Sequence, residues 1–110
     1  MTFTTQKISP DLVVVRGAGK LNMVSAPELR AVVVDAISGG GNRIVVDLSA
    51  IDVMESSGLG ALVGCLKSAR QAGGDLRIAA PSTQVSMVLR LSNLDRVLAS
   101  FDSTEAAYRD

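Results

Sequence analysis

Ile44-Val45-Val46-Asp47-Leu48-Ser49-Ala50-Ile51-Asp52-Val53-Met54-Glu55-Ser56-Ser57-Gly58-Leu59-Gly60 is the stretch from which the architecture is read. Ile44 to Leu48 is a short apolar run rich in β-branched residues, the pattern of a central strand buried on both faces. From about Ser57 to Ala72 the pattern turns helical. Leu59, Leu62, Val63, Leu66 and Ala69 fall on one stripe, and Gly73-Gly74 ends it. A buried strand leading directly into an amphipathic helix is the unit from which sheets flanked by helices are built.

Working outward, Thr2 to Ile8 and Leu12 to Arg16 read as strands joined by the turn Ser9-Pro10-Asp11, an antiparallel hairpin, with Gly17 and Gly19 ending it. Ser25-Ala26-Pro27-Glu28 reads as a helix start, with Ser25 as cap and Glu28 completing a capping box. Leu29, Val32, Val33, Ala36 and Ile37 face inward on that helix, and Ser38 to Gly41 stops it. Leu76 to Ala80 is a further strand. Ser82 caps a third helix carrying Val85, Val88 and Leu89 on its inner face. Val97 to Phe101 is a last strand, and Asp102 with Glu105 forms a capping box for a short final helix ending near Arg109. The expected order is β-β-α-β-α-β-α-β-α. It predicts one α/β domain over residues 1–110, with a mostly parallel or mixed sheet.

Composition narrows the function. Eleven Lys and Arg balance eleven Asp and Glu, without the basic excess that phosphate-backbone binding requires. Histidine is absent, which removes Ser-His-Asp and Cys-His catalysis and any His-ligated metal site. The single cysteine, Cys65, has no partner for an internal disulfide, and structural zinc is not expected. A reducing cytoplasm is the expected compartment: neither a signal peptide nor an apolar run of membrane-spanning length is visible. No cofactor is expected.

Two adjacent serines occupy the start of the second helix, where free N–H groups and the positive dipole end favour anions. Ser57 is either a helix cap or a phosphorylation site. Gly58, Gly60 and Gly64 follow, and three glycines in a helix cost roughly 3 kcal/mol relative to alanine. Two offsets remain open at this point, close packing on the sheet and close approach of a partner's backbone. Met23 and Val24, in the loop before the first helix, are either a hydrophobic staple or a partner contact. Other motifs fail. Gly58-Leu59-Gly60 with Gly64 has its third glycine one place late for a dinucleotide-binding turn, and Gly17-Ala18-Gly19-Lys20 lacks the earlier glycine of a phosphate loop. A receiver domain needs an acidic pair on the first strand and a late lysine, whereas the last lysine here is Lys67.

Asp47-Leu48-Ser49 followed by Met54-Glu55-Ser56-Ser57-Gly58-Leu59-Gly60 resembles the signature of STAS-domain anti-sigma factor antagonists, whose usual form is Asp-Ser-Ser-Gly-Leu-Gly. The likeness runs through most of the chain. Gly19-Lys20-Leu21-Asn22 and Ala26-Pro27-Glu28-Leu29 resemble the family's Gly-x-Leu-Asp…Ala-x-x-Leu segment. Gly73-Gly74-Asp75-Leu76 resembles the turn before its next strand, and Leu91-Ser92-Asn93-Leu94 its Leu-x-Gly-Leu helix end. The resemblance implies a STAS fold, a mixed central β-sheet with an antiparallel N-terminal hairpin and helices packed mainly on one side.

It also implies a partner-switching role in transcription regulation and no catalysis by the chain itself. The partner is an anti-sigma factor with an ATPase-like serine kinase domain, whose binding releases the sigma factor. Phosphorylation falls on the second serine, Ser57, with Ser56 as second choice, and a phosphatase acting on phospho-Ser57 restores binding. The expected surface comprises Leu21, Asn22, Met23, Val24 and Ser25 with Glu55, Ser56, Ser57, Gly58, Leu59 and Gly60, on a monomer or weak dimer. The alternative is a non-phosphorylated STAS scaffold subunit of a stress-sensing or transporter-associated complex. A nucleotide-binding protein is the third reading. Two positions depart from the family: Glu55 and Asn22 stand where aspartate is usual.

Overall fold

A computed structural model describes residues 3–108. Strands β1 (Thr4–Ser9) and β2 (Leu12–Arg16) form the expected antiparallel hairpin. Beside β2 lie, in order, β4 (Arg43–Asp47), β6 (Asp75–Ala79) and β7 (Ser100–Phe101), each parallel to its neighbour. The mixed sheet expected from the element order is present. Val45 and Val46 of the central strand are both buried, one toward each face.

Helices α1 (Ala26–Ser38), α2 (Ser56–Gln71) and α3 (Thr83–Leu91) build the larger core on one face, where Leu29, Val33, Leu62, Leu66, Val85 and Leu89 pack with Ile44, Val46 and Ile78. The short α4 (Thr104–Tyr108) covers part of the opposite face through Ala107, which meets Leu12, Val14 and Val45. Its last carbonyls are met from the sheet: Arg77 donates to the Ala107 carbonyl at 2.8 Å while its guanidinium lies 5.5 Å from the Phe101 ring centre. That contact satisfies a helix end that would otherwise leave acceptors unpaired.

Several details differ from the sequence reading. Two strands went unseen, β3 (Gly19–Leu21) and β5 (Ile51–Met54), which pair in parallel as a separate ribbon with Leu21 opposite Met54. Gly19 therefore opens a strand, where the sequence reading took it as the end of one. The last strand is only Ser100–Phe101: Leu94–Arg96 winds into a 3-10 turn, and the Val97 and Leu98 N–H groups bond back to the Leu94 carbonyl at 3.0 and 2.8 Å. Asn93 leads into that turn at φ 61°, in the left-handed region that asparagine tolerates. Ser103, not Asp102, caps α4 by accepting the Ala106 N–H at 3.1 Å. Ser82 caps α3 as expected, accepting from Val85 at 3.2 Å. On α2 the stripe holds except that Val63 is half-buried, while Ala61 and Cys65 are buried instead. Thr2 and Arg109 lie outside the described residues.

The three α2 glycines are not equivalent. A Cβ on Gly58 would stand 2.7 Å from the Leu21 carbonyl oxygen and 2.8 Å from its Cγ, whereas Gly60 and Gly64 have open space. Gly58 is thus explained by packing on β3, and the other two are not explained by any contact within the chain. Gly58→Ala is expected to lower unfolding stability by about 1–2 kcal/mol, since overpacking against backbone outweighs the gain in helix propensity. Gly64→Ala is expected to raise it by up to about 1 kcal/mol. Urea denaturation of the two variants checks both signs. Burial, slightly relieved by Arg30, pushes the Cys65 thiol up to about 11. Alkylation by iodoacetamide at pH 8 should therefore be slow in the folded protein and rapid in urea, as mass spectrometry would record.

Candidate functional site

The site forms where the β3–β5 ribbon meets the start of α2. The Glu55 N–H donates to the Leu21 carbonyl at 3.0 Å, and Gly58 lies against the same carbonyl. One backbone group thus joins the loop after β3 to the first turn of α2. Leu21 itself is buried, as are Gly58 and Leu59.

Helix α2 begins one residue earlier than expected, at Ser56, with extended Glu55 in the cap position. No side chain caps it. Aspartate is a preferred N-cap and glutamate is not, so Glu55 leaves the Ser56 and Ser57 N–H groups without a side-chain acceptor. The Gly58 and Leu59 N–H groups bond back to the Glu55 carbonyl at 2.9 and 3.1 Å. The capping role considered for Ser57 does not occur. Ser57 is half-buried, while Ser56 and Gly60 are exposed.

The loop before α1 is organised differently from the expected capping box. Ser25 is in helical conformation, buried at 2% exposure, and does not cap α1 with its side chain. Asn22 instead caps the turn that leads into α1. Its Oδ1 accepts the Val24 N–H at 3.0 Å and the Ser25 N–H at 3.2 Å, as an N-cap does for its helix. The Ser25 Oγ returns the contact by accepting the Asn22 N–H at 2.9 Å, and donates to the Lys20 carbonyl at 2.9 Å. The replacement of aspartate by Asn22 therefore keeps the acceptor that shapes the loop and removes its charge.

Met23 and Val24 sit at the tip of this turn, 76% and 73% exposed. They do not staple onto α1. Of the eleven residues named from sequence, Asn22, Met23, Val24, Glu55, Ser56, Ser57 and Gly60 have exposed or half-exposed positions around the ribbon's end, and Leu21, Ser25, Gly58 and Leu59 lie beneath them. Sequence reasoning did not single out Lys20, whose carbonyl holds Ser25; a main-chain acceptor leaves no trace in residue type. Among the described residues, no group of three His, Cys, Asp or Glu side chains is placed to hold a metal ion. Among them, too, no helix is long and apolar enough to cross a membrane.

Comparison with known proteins places this arrangement. The STAS domain family model matches residues 4–107. An anti-sigma-B factor antagonist of Staphylococcus epidermidis is 30% identical over 95 residues, covering 86% of this chain and 88% of that protein. The crystal structure of TM1081 from Thermotoga maritima superposes with a TM-score of 0.85 at 32% identity, covering 97% of this chain and 95% of that one. The anti-sigma factor antagonist SpoIIAA in its unphosphorylated form gives a TM-score of 0.81 at 24% identity, covering 96% and 92%, which shows a shared fold. With its mixed sheet, its short β3–β5 ribbon and a match over nearly its whole length, the chain belongs to the STAS domain family.

Proposed function

We propose that the protein is a cytoplasmic anti-sigma factor antagonist, a binding module without catalysis of its own, switched off by phosphorylation at Ser57. It binds an anti-sigma factor bearing an ATPase-like serine kinase domain and thereby releases a sigma factor. A phosphatase acting on phospho-Ser57 restores binding. The observation that carries this reading is the pairing of a half-buried serine, not used as a cap, with two large apolar side chains exposed on the adjoining loop.

The switch follows from charge and solvation. A phosphate adds about −1.5 to −2 charges at neutral pH. In the free chain the Ser56 and Ser57 N–H groups and the helix dipole accommodate part of that charge. In the complex the phosphate must lose water against an apolar contact built on Met23 and Val24, and Glu55 two residues away adds like-charge repulsion. A penalty of a few kcal/mol is the scale of such desolvation, and each 1.4 kcal/mol is tenfold in affinity.

The partner is to be captured from native lysate with Ser57→Ala as bait and identified by mass spectrometry. Titration of that partner should then give wild-type affinity for Ser57→Ala and at least tenfold weaker binding for Ser57→Asp and Ser57→Glu. Ser56→Ala should keep the switch. Phosphate located only on Ser56 after kinase treatment refutes the site assignment, and tighter binding by the phosphorylated chain refutes the mechanism.

Gly60 tests the surface. Its open surroundings leave room for a Cβ, so Gly60→Leu should be at least as stable as wild type and bind at least tenfold more weakly. Undiminished binding by a folded Gly60→Leu chain places the contact elsewhere.

A further inference from the structure

Ser25 is the one buried polar residue among the described residues, and neither partner contact nor α1 capping accounts for its hydroxyl. At 2% exposure it cannot reach a protein docked on the loop. Its side-chain bonds are all short-range, to Asn22 within the turn and to Lys20 at the end of β3. It accepts from the Asn22 N–H at 2.9 Å and donates to the Lys20 carbonyl at 2.9 Å, while Asn22 Oδ1 accepts from Val24 and Ser25. These four bonds pair the polar groups that would otherwise let the loop open to water.

Their effect is on display. Exposed apolar side chains on a mobile loop would collapse against the nearest apolar surface, yet Met23 and Val24 stand 76% and 73% exposed. The turn beneath them resists such collapse, because the Asn22, Val24, Ser25 and Ala26 N–H groups are already held. A pre-ordered pair of anchors binds more tightly than a loose one, since less conformational freedom is lost on association.

We infer that Ser25 is a positioning residue of the partner-binding surface, a buried hydroxyl that locks the Asn22–Ser25 turn and so holds Met23 and Val24 out toward the partner. The inference rests on the reading given under Proposed function. Asn22 is its counterpart, and the carboxylate of an Asn22→Asp variant would accept the same two N–H groups.

The test has two arms. Amide hydrogen exchange is measured by NMR on the isolated Ser25→Ala, Ser25→Thr and Asn22→Asp chains. Ser25→Ala should lose about tenfold or more of the protection at the Asn22 and Val24 amides with Val33, inside α1, unchanged; the other two variants should retain it. The same chains are titrated against the anti-sigma factor captured by Ser57→Ala. Ser25→Ala should bind about tenfold more weakly, and Ser25→Thr and Asn22→Asp should stay within a few-fold of wild type. Unchanged exchange in Ser25→Ala overturns the inference, as does full affinity in a chain whose loop has loosened. If Met23→Ala, Val24→Ala and Ser57→Asp all bind as wild type, the functional reading itself fails, and with it the role given to Ser25 in binding.

Discussion

The carbonyl of Leu21 is the constraint on which the rest of the site depends. It accepts the Glu55 N–H at 3.0 Å, and its oxygen fills the space that any side chain at position 58 would need. The Leu21 side chain is buried in the larger core. This residue therefore fixes three things together: the end of β3, the entry of α2, and the root of the loop bearing Met23 and Val24. Because the contact is backbone against backbone, only glycine at position 58 permits it. The glycine is costly to the helix, and the chain retains it at a position where alanine would force the two elements apart.

That constraint also explains which parts could be read from sequence. The hairpin, the central strand and α2 were legible because each repeats its pattern over several turns or residues: Leu12 to Val15 is apolar and buried with three consecutive valines, and Leu59, Leu62 and Leu66 recur at helical spacing. The β3–β5 ribbon was not. Gly19–Leu21 and Ile51–Met54 are too short to show alternation, and their pairing depends on contacts between distant parts of the chain. The caps were misassigned for a related reason. Ser25 and Glu28 have the right spacing for a capping box, but so do Asn22 and Ser25, and tertiary burial of Ser25 decides between them. At the site, the serine pair and the exposed loop were legible as residue types, whereas the separation into a displayed layer and a supporting layer required coordinates.

The two departures from the family's usual residues act in opposite ways. Asn22 preserves geometry: its oxygen makes the bonds an aspartate would make, so the loop keeps its shape and loses only a charge. Glu55 alters geometry. Sitting in the cap position of α2 without capping it by its side chain, it leaves the Ser56 and Ser57 N–H groups without a side-chain acceptor and keeps a carboxylate two residues from Ser57. An uncapped helix start suits an added phosphate better than a capped one, because the same donors would otherwise be occupied.

The balance of charge over the whole chain bears on how such a switch would work. With eleven basic and eleven acidic residues, the chain has no net field to draw a partner from a distance. Affinity for the proposed partner then rests on local burial, and two large apolar side chains moved fully from water contribute roughly 1.5–3 kcal/mol each before the cost of association. A phosphate whose desolvation costs a few kcal/mol is of the same size as that gain. Were the interface held by strong charge pairing, one added phosphate would be a small perturbation. On a surface whose anchors are apolar, it would be large enough to reverse that balance, and the packing of Gly58 on the Leu21 carbonyl sets Ser57 beside the root of the Met23–Val24 loop.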